Sequence, residues 1–454
     1  MGESLPWLLF DTWRAKRLGW AGIEERQRVR LAEIVAFARA HSPYYRELYQ
    51  GLPDRIEDPK LLPVTDKKKL MAHFDDWCTD RTITLDKVRA FTSNLNLIGE
   101  PFMEKYTTVT TSGTTGTQGL FIVDERTLRV TNAIALRWIT SWFNLWDLVK
   151  IIAGGFRMAM ICAFGGHYAE ITAATRMRKG SKLRAKLIQA FPVDMPMNRL
   201  APELNRFQPA IVAPYASTGA MLASEQEAGR LNIHPVAMIL SAEGLPIPEY
   251  ERIAKSLNTK VRYSYAASEC MFISGNCKEN WLHVNADWVI FEPVDENYNP
   301  VPPGVMSHTM LLTNLANRTQ PIIRYDIGDR IMVRPDLCPC GNPLQAIRMQ
   351  GRTADVLKFN KENGDEVIIP ALVLELDVIA GIERSQVVQT SETGLRIRLR
   401  LTPDADADYI WQMVEAQVRH LLKQQGLSHV TVERAQEPPE QSPGGKYRTV
   451  IPLG

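Results

Sequence analysis

The sequence is poor in cysteine and histidine, with six and eight in 454 residues. That density excludes a disulfide scaffold. The N-terminus has neither a basic leader nor a small-residue cleavage site, so no targeting segment is expected and the thiols should sit in the cytoplasm, reduced or on a metal. Charge of one sign is also missing. The 53 basic and 51 acidic side chains leave a formal net charge of +2, which gives no reason to expect nucleic acid or a membrane as partner. Long apolar runs are absent as well. Residues 148–166 come nearest, but Lys150 and Arg157 interrupt them, and the glycines suit a buried strand and loop better than a bilayer span. No internal repeat or low-complexity segment occurs.

What remains is an average globular composition, 45% hydrophobic and 23% charged, on a chain long enough for one large domain and a smaller one. Residues 22–50 place Leu31, Ile34, Val35, Phe37 and Ala38 at helical intervals and end in a Ser-Pro break, and 62–74 read as a further helix capped by Thr65 or Asp66. Between 105 and 330, the β-rich runs TTVTT, LFIVD, AMICAF, AIVAP, AMILSAEG, KVRYSY and WVIFEP alternate with helical stretches near 127–142, 183–191, 218–229 and 248–256. Such alternation predicts an α/β class with helix-covered β-sheets. After Arg352 the texture changes: short strands (DVLKF, EVIIP, SQVVQ, LRIRLRL) and the helical stretches PALVLELDVI and DADYIWQMVEAQVRHLLKQQG form a small α+β unit. The expected domains are therefore 1–352 and 353–454.

The most informative stretch is Tyr106 to Gly119, where a β-branched strand runs into a loop of Ser, Thr and Gly. Glycines let backbone approach a ligand, and hydroxyls and N–H groups donate to a polyanion, so Thr111, Ser112, Gly113, Thr114, Thr115 and Gly116 suit a phosphate cradle. No Lys-Ser or Lys-Thr follows the second glycine, so this is not a P-loop. A plain linker turn is the alternative.

Thr111–Gly116 resembles the signature loop of adenylate-forming enzymes, the acyl-coenzyme A synthetases and their relatives. Further resemblances follow in order: Ser241-Ala242-Glu243-Gly244, Tyr265-Ala266-Ala267-Ser268-Glu269, Arg324-Tyr325-Asp326-Ile327-Gly328-Asp329, Gly351-Arg352-Thr353-Ala354-Asp355, and Gly445-Lys446-Tyr447-Arg448. With Pro43-Tyr44-Tyr45-Arg46 and Leu61-Leu62-Pro63-Val64-Thr65, the chain is similar to phenylacetate-coenzyme A ligases and a related capsule-biosynthesis branch.

The resemblance implies a large N-terminal adenylation domain, a small mobile C-terminal domain, and ATP between them. It also implies roles that suit the residue types. Thr111 to Thr115 would hold the β- and γ-phosphates, and Ser241, Ala242 and Glu243 would lie beside the adenine. Tyr265, with Ala266 and Ser268 in the same element, would offer the adenine a face. Glu269 would ligate Mg²⁺ as a hard oxygen donor, Asp329 would accept from the ribose hydroxyls, and Arg352 would anchor the hinge. Lys446 would bring a mobile charge to the carboxylate and α-phosphate. Four departures stand out: Thr117-Gln118 where the family loop has a lysine, Ala266 for a glycine, Asp326 for an arginine, and Ala354 where paired hinge acids begin.

Cys277-x₅-His283 and Cys338-Pro339-Cys340-Gly341 supply three thiolates and an imidazole, a closed set that suits structural zinc, and some members of the resembled branch carry zinc at these places. Unpaired reduced cysteines are the alternative, and Cys78 and Cys162 read as buried thiols. Trp138, Trp142, Phe164, His167, Tyr215 and Ala216 are candidate lining for an acyl pocket, although aromatics at helical spacing, such as Trp138 and Trp142, are more often core than pocket. The expected partners are a small-molecule carboxylic acid, aromatic by the resemblance, and coenzyme A, with an amine, hydroxyl or carrier-protein thiol as alternative acceptor. A homodimer is a candidate assembly. A catalytically weak nucleotide-binding scaffold is the contrasting reading.

Overall fold

Strands buried on both faces need near-continuous apolar sequence, which the chain supplies in Met158–Cys162 and Ala237–Leu240; Ile211–Pro214 lies between these two, and Ile188–Pro192 and Lys260–Ala267, less buried, extend the same sheet on either side. These are parallel to one another. Helices including Met197–Phe207, Ala216–Glu227 and Ile247–Ser256 intervene, burying residues such as Leu200, Leu204, Leu222 and Ile253 in a core with Val212, Met238 and Leu240. The sheet then turns antiparallel through Cys270–Asn276, Leu282–Val284 and Ala346–Arg352, and Asp329–Val333 forms its edge. A second sheet runs Thr65–Asp66, Tyr325–Asp326, Thr309–Asn314 and Val289–Val294. Thr107–Thr110 and Leu120–Val123 form a separate hairpin.

This computed structural model describes residues 3–453 except 112–117, 194, 243, 246, 353–355, 363–365, 371–373, 375 and 442–446, and does not describe the side chains of 272, 350–352, 356, 366, 368, 370 and 378. The chain divides into a larger unit, most of 3–327 with 332–348, and a smaller one, 328–331 with most of 349–453. In the smaller unit the strands Thr431–Arg434, Gly394–Leu401, Ile382–Ser391 and Val450–Ile451 make one sheet. Helix Ala407–Gln424 buries Ile410, Val414, Val418 and Leu422, one face at helical spacing, in a core with Val387, Leu395 and Ile397.

Several local expectations are corrected. Residues 148–153 belong to a helix, Leu145–Ala153, started by a capping box between Asn144 and Asp147; the strand begins only at Met158. Lys182–Leu187 is helical, but Ile188–Pro192 is strand. Of PALVLELDVI, the described part holds only the 3₁₀ turn Leu376–Val378. Asp66, not Thr65, caps Lys67–Ala72, accepting from the Lys69 N–H at 2.9 Å. Thr65 instead donates to the Ile323 carbonyl at 3.0 Å. The N-terminal helix spans Leu5–His41 and is interrupted at Gly19, whose φ of 68° is left-handed.

Candidate functional site

The Ser/Thr/Gly stretch is the loop of the hairpin, since Thr110 faces Leu120 across it. Thr111 closes the loop: its N–H donates to the Gly119 carbonyl at 2.9 Å and its Oγ1 accepts from the Gly119 N–H at 2.7 Å. Gly119 has to be glycine, because a Cβ would come within 2.6 Å of the Phe121 ring. Ser112, Gly113, Thr114, Thr115 and Gly116 lie outside the described residues. Three contacts fix the hairpin. Tyr106 donates its hydroxyl to Asp80 at 2.6 Å, the Ile122 N–H donates to Gln320 Oε1 at 2.6 Å, and Asn317 donates to the Ile122 carbonyl at 2.8 Å.

Lys260–Ala267 and Cys270–Asn276 pair with Ala267 opposite Cys270, so Ser268 and Glu269 form a two-residue turn at the tip, after an irregularity between Tyr265 and Ala267. Glu269 is held from two directions. The Tyr325 hydroxyl donates to its Oε1 at 2.8 Å, and the Asn314 amide donates to its carbonyl at 3.1 Å. Tyr325 is itself buried in the second sheet, paired with Leu312. The segment Asn314–Asp326 thus joins two sequence-predicted elements, holding the hairpin through Asn317 and Gln320 and Glu269 through Asn314 and Tyr325. Sequence reasoning gave none of these four a role. The signal of Asn314, Asn317 and Gln320 was amides between the apolar runs TMLL and PII, and Tyr325 follows PII within Arg324–Asp329.

Around this segment the N-terminal residues act as braces. Tyr45 and Trp77 both donate to the Pro321 carbonyl at 2.8 Å. Arg324, with φ of 47°, donates to the Leu62 carbonyl at 2.6 Å and to Glu292 at 3.2 Å. Burial raises the Glu292 carboxyl above its ordinary value, with Arg324 opposing. Asp326 accepts from Thr309 at 2.5 Å and from Tyr298 at 3.0 Å.

Ser241 and Ala242 lie at the carboxyl end of Ala237–Leu240, where open parallel sheets bind ligands. The Ser241 N–H donates to the Pro214 carbonyl at 3.2 Å, and Ala242 holds a left-handed φ of 69°, which in a non-glycine residue stores strain. Tyr265 is buried, its ring 6.5 Å from Phe291 at 53°; Ala266 is exposed and Ser268 half-buried. Asp329 is buried at the start of its strand. The side chain of Arg352, and Glu243 and Lys446 altogether, lie outside what is described.

Of the acyl-pocket candidates, Trp138 and Trp142 pack on Gly275 and donate to Asn285 Oδ1 and the Asn276 carbonyl, which anchors helix Glu125–Trp142 to the sheet. Tyr215 and Ala216 are buried in the core, and Phe164 is exposed. His167 is buried, with Nδ1 3.3 Å from the Thr108 hydroxyl and Nε2 3.1 Å from the Asn94 carbonyl. Burial holds its pKa below the ordinary value, with the Asn94 hydrogen bond opposing. Both nitrogens are engaged in bracing the hairpin.

The ligand atoms of Cys277, His283, Cys338 and Cys340 all lie within 4.8 Å of one another. Cys277 Sγ is 3.7 Å from Cys338 Sγ, and Cys340 Sγ is 3.3 Å from His283 Nε2. Sulfurs at about 2.3 Å from a tetrahedral zinc would stand about 3.8 Å apart, so the spacing fits such an ion. His283 Nδ1 donates to the Leu344 carbonyl at 2.7 Å, which leaves Nε2 with its lone pair toward the cluster. Burial pushes the Cys277 thiol up and the Cys340 thiol up to about 12, a shift that a bound cation would oppose.

No family model matches the chain. Among curated proteins it is similar to Protein CapK of Staphylococcus aureus, 28% identical over 259 residues; these are 55% of this chain and 54% of CapK, so the chain spans about half the length of that relative. Among solved structures it is similar to a 2-hydroxyisobutyryl-CoA ligase in the postadenylation state with 2-HIB-AMP, with a TM-score of 0.63 at 19% identity over 95% of this chain and 89% of that one. An open conformation of that ligase, with 2-HIB-AMP and CoA, gives 0.58 at 18% identity over 90% and 93%. The chain therefore has the fold of adenylate-forming ligases, with a large N-terminal and a smaller C-terminal domain.

Proposed function

We propose that this chain is an ATP-dependent adenylate-forming ligase that activates a carboxylic acid, aromatic by the resemblance, and passes the acyl group to coenzyme A. The observation that carries the reading is the convergence on Glu269: a carboxylate at a hairpin tip, oriented by Tyr325 and tied through Asn314–Asp326 to the hairpin that holds the Ser/Thr/Gly loop. A merely solvated loop acid would need no such support. The fold supports the same class.

In this reading the substrate carboxylate attacks the α-phosphorus of ATP and pyrophosphate leaves; the coenzyme A thiolate then attacks the acyl carbonyl and AMP leaves. Charge neutralisation and alignment form most of the catalysis in such transfers. Thr111 and the loop after it receive the β- and γ-phosphates, Ser241 and Ala242 take the adenine side, and Tyr265 supports that wall. Glu269 would hold Mg²⁺, which supplies positive charge against the phosphates. Asp329 receives the ribose, Arg352 steadies the hinge between domains 1–352 and 353–454, and Lys446 brings its ammonium to the reacting oxygens. Cys277, His283, Cys338 and Cys340 would hold zinc as a closed structural site, which contributes folding energy and leaves no position open for substrate.

The test is to incubate the purified protein with ATP, Mg²⁺ and a panel of aryl and aliphatic acids, with and without coenzyme A. Pyrophosphate and acyl products are then measured, with Lys446→Ala as control. Acid-dependent pyrophosphate with acyl-coenzyme A only when Lys446 is intact supports the reading. Pyrophosphate without thioester moves the acceptor to an amine, hydroxyl or carrier protein, and silence across the panel turns the reading toward a nucleotide-binding scaffold.

A further inference from the structure

The first helical stretch, up to Gly19, is built the wrong way round for a helix that faces water. Trp7, Phe10, Trp13 and Leu18 are 47%, 55%, 54% and 53% exposed. Their spacing of three or more residues puts them on one side, opposite the buried Leu8, Asp11, Thr12 and Ala15. Phe10 and Trp13 lie 6.0 Å apart, and the Arg17 guanidinium sits 5.3 Å from the Trp13 ring centre.

The charges are sorted as well. Both acids near this stretch are turned inward and neutralised. Asp11 is bonded to Arg26 and Arg30, and Glu3 to Arg126. The exposed charges between residues 3 and 19 are Arg14 and Arg17, on the aromatic side. The next exposed acids, Glu24 and Glu25, follow the break at Gly19, and Glu25 is bonded to Arg28.

We propose that the face made by Trp7, Phe10, Trp13, Arg14, Arg17 and Leu18 is a membrane-surface contact that docks the chain on an anionic lipid bilayer. Tryptophan and phenylalanine sit at the depth of the headgroups with their apolar rings inward, and unpaired arginines beside them meet lipid phosphate. Among the described residues no helix is long and apolar enough to cross a membrane. The balanced net charge that argued against a membrane averages over the whole chain and hides this local sorting.

The test is flotation of the full chain with phosphatidylcholine vesicles, with and without phosphatidylglycerol. It compares wild type, the triple variant Trp7→Ser/Phe10→Ser/Trp13→Ser and the double variant Arg14→Glu/Arg17→Glu, with sizing by light scattering alongside. Wild type should bind anionic vesicles on the order of tenfold more tightly than neutral ones, and less so in high salt. The triple variant should lose binding to both, and the double variant should lose the anionic preference while its thermal unfolding stays unchanged. Absence of binding by wild type, or binding indifferent to both variants, overturns the proposal. So does a wild-type dimer that the triple variant dissociates without any flotation, which would assign the face to a second copy.

Discussion

The strand Cys270–Asn276 has two unlike ends. At one, the turn Ser268-Glu269 leaves a carboxylate half-buried, reached by a hydrogen bond from Tyr325, while Asn314 holds the Glu269 backbone carbonyl. At the other, Cys277 enters a partly buried knuckle with His283, Cys338 and Cys340, where every ligand atom is within 4.8 Å of the rest. Seven residues of strand separate them, about 20 Å. On the proposed reading, the end that would do chemistry must stay accessible and is positioned by long-range hydrogen bonds, while the end that would do none can be closed and would be tied by a metal ion. The difference teaches that the sheet is stiffened at one side so that its opposite tip can remain open.

That contrast can be broken at either end. Cys338→Ser should have the largest effect on stability, on the order of 4 kcal/mol or more if the site holds zinc, because the loss of a ligand weakens the binding free energy that folding draws on. Thermal unfolding with and without a zinc chelator checks this, and the chelator should shift wild type but not the variant. Adenylation per folded molecule should change little. Tyr325→Phe should do the reverse. Losing a hydrogen bond to a carboxylate should cost adenylation roughly tenfold and raise the Mg²⁺ concentration for half-maximal rate, with little change in unfolding temperature.

The legibility of the two ends differs for physical reasons. That Cys277, His283, Cys338 and Cys340 come together could be read from residue types alone, since few side chains are soft enough for zinc and these are among the scarcest in the chain. Glu269 could be read only through a motif. The supports of Glu269 and of the loop hairpin could not be read, because Tyr325 reaches Glu269 across 56 positions of sequence, and Gln320 and Asn317 reach Ile122 across 198 and 195, where no local periodicity reports contact. The α/β alternation was legible, with the parallel strands at 158–162, 211–214 and 237–240 falling on the apolar runs. Leu145–Ala153 was missed because an apolar run of that length serves helix or strand equally, and only the Asn144–Asp147 cap decides it. The exposed face of the N-terminal helix could not be read, because sequence does not say which side of a helix is covered.

The smallest expected effect concerns His167, which braces the loop hairpin from outside the chemistry. Its pKa is held below the ordinary 6.5 by burial, so the folded state binds fewer protons than the unfolded chain. The stability it contributes is complete above pH 6.5 and is lost as pH falls through the folded value. Denaturant midpoints at pH 7.5 and below 6 should therefore differ more for wild type than for His167→Gln.

The central claim is tested most directly by carboxylate-dependent exchange between ATP and labelled pyrophosphate, which reports formation of the acyl-AMP and needs no acceptor. The account predicts exchange by wild type with at least one acid of the panel, a loss on the order of a hundredfold or more in Glu269→Gln, and near-normal exchange per folded molecule in Cys338→Ser. Exchange that survives Glu269→Gln intact, or that fails in wild type with every acid while ATP still binds, would contradict it.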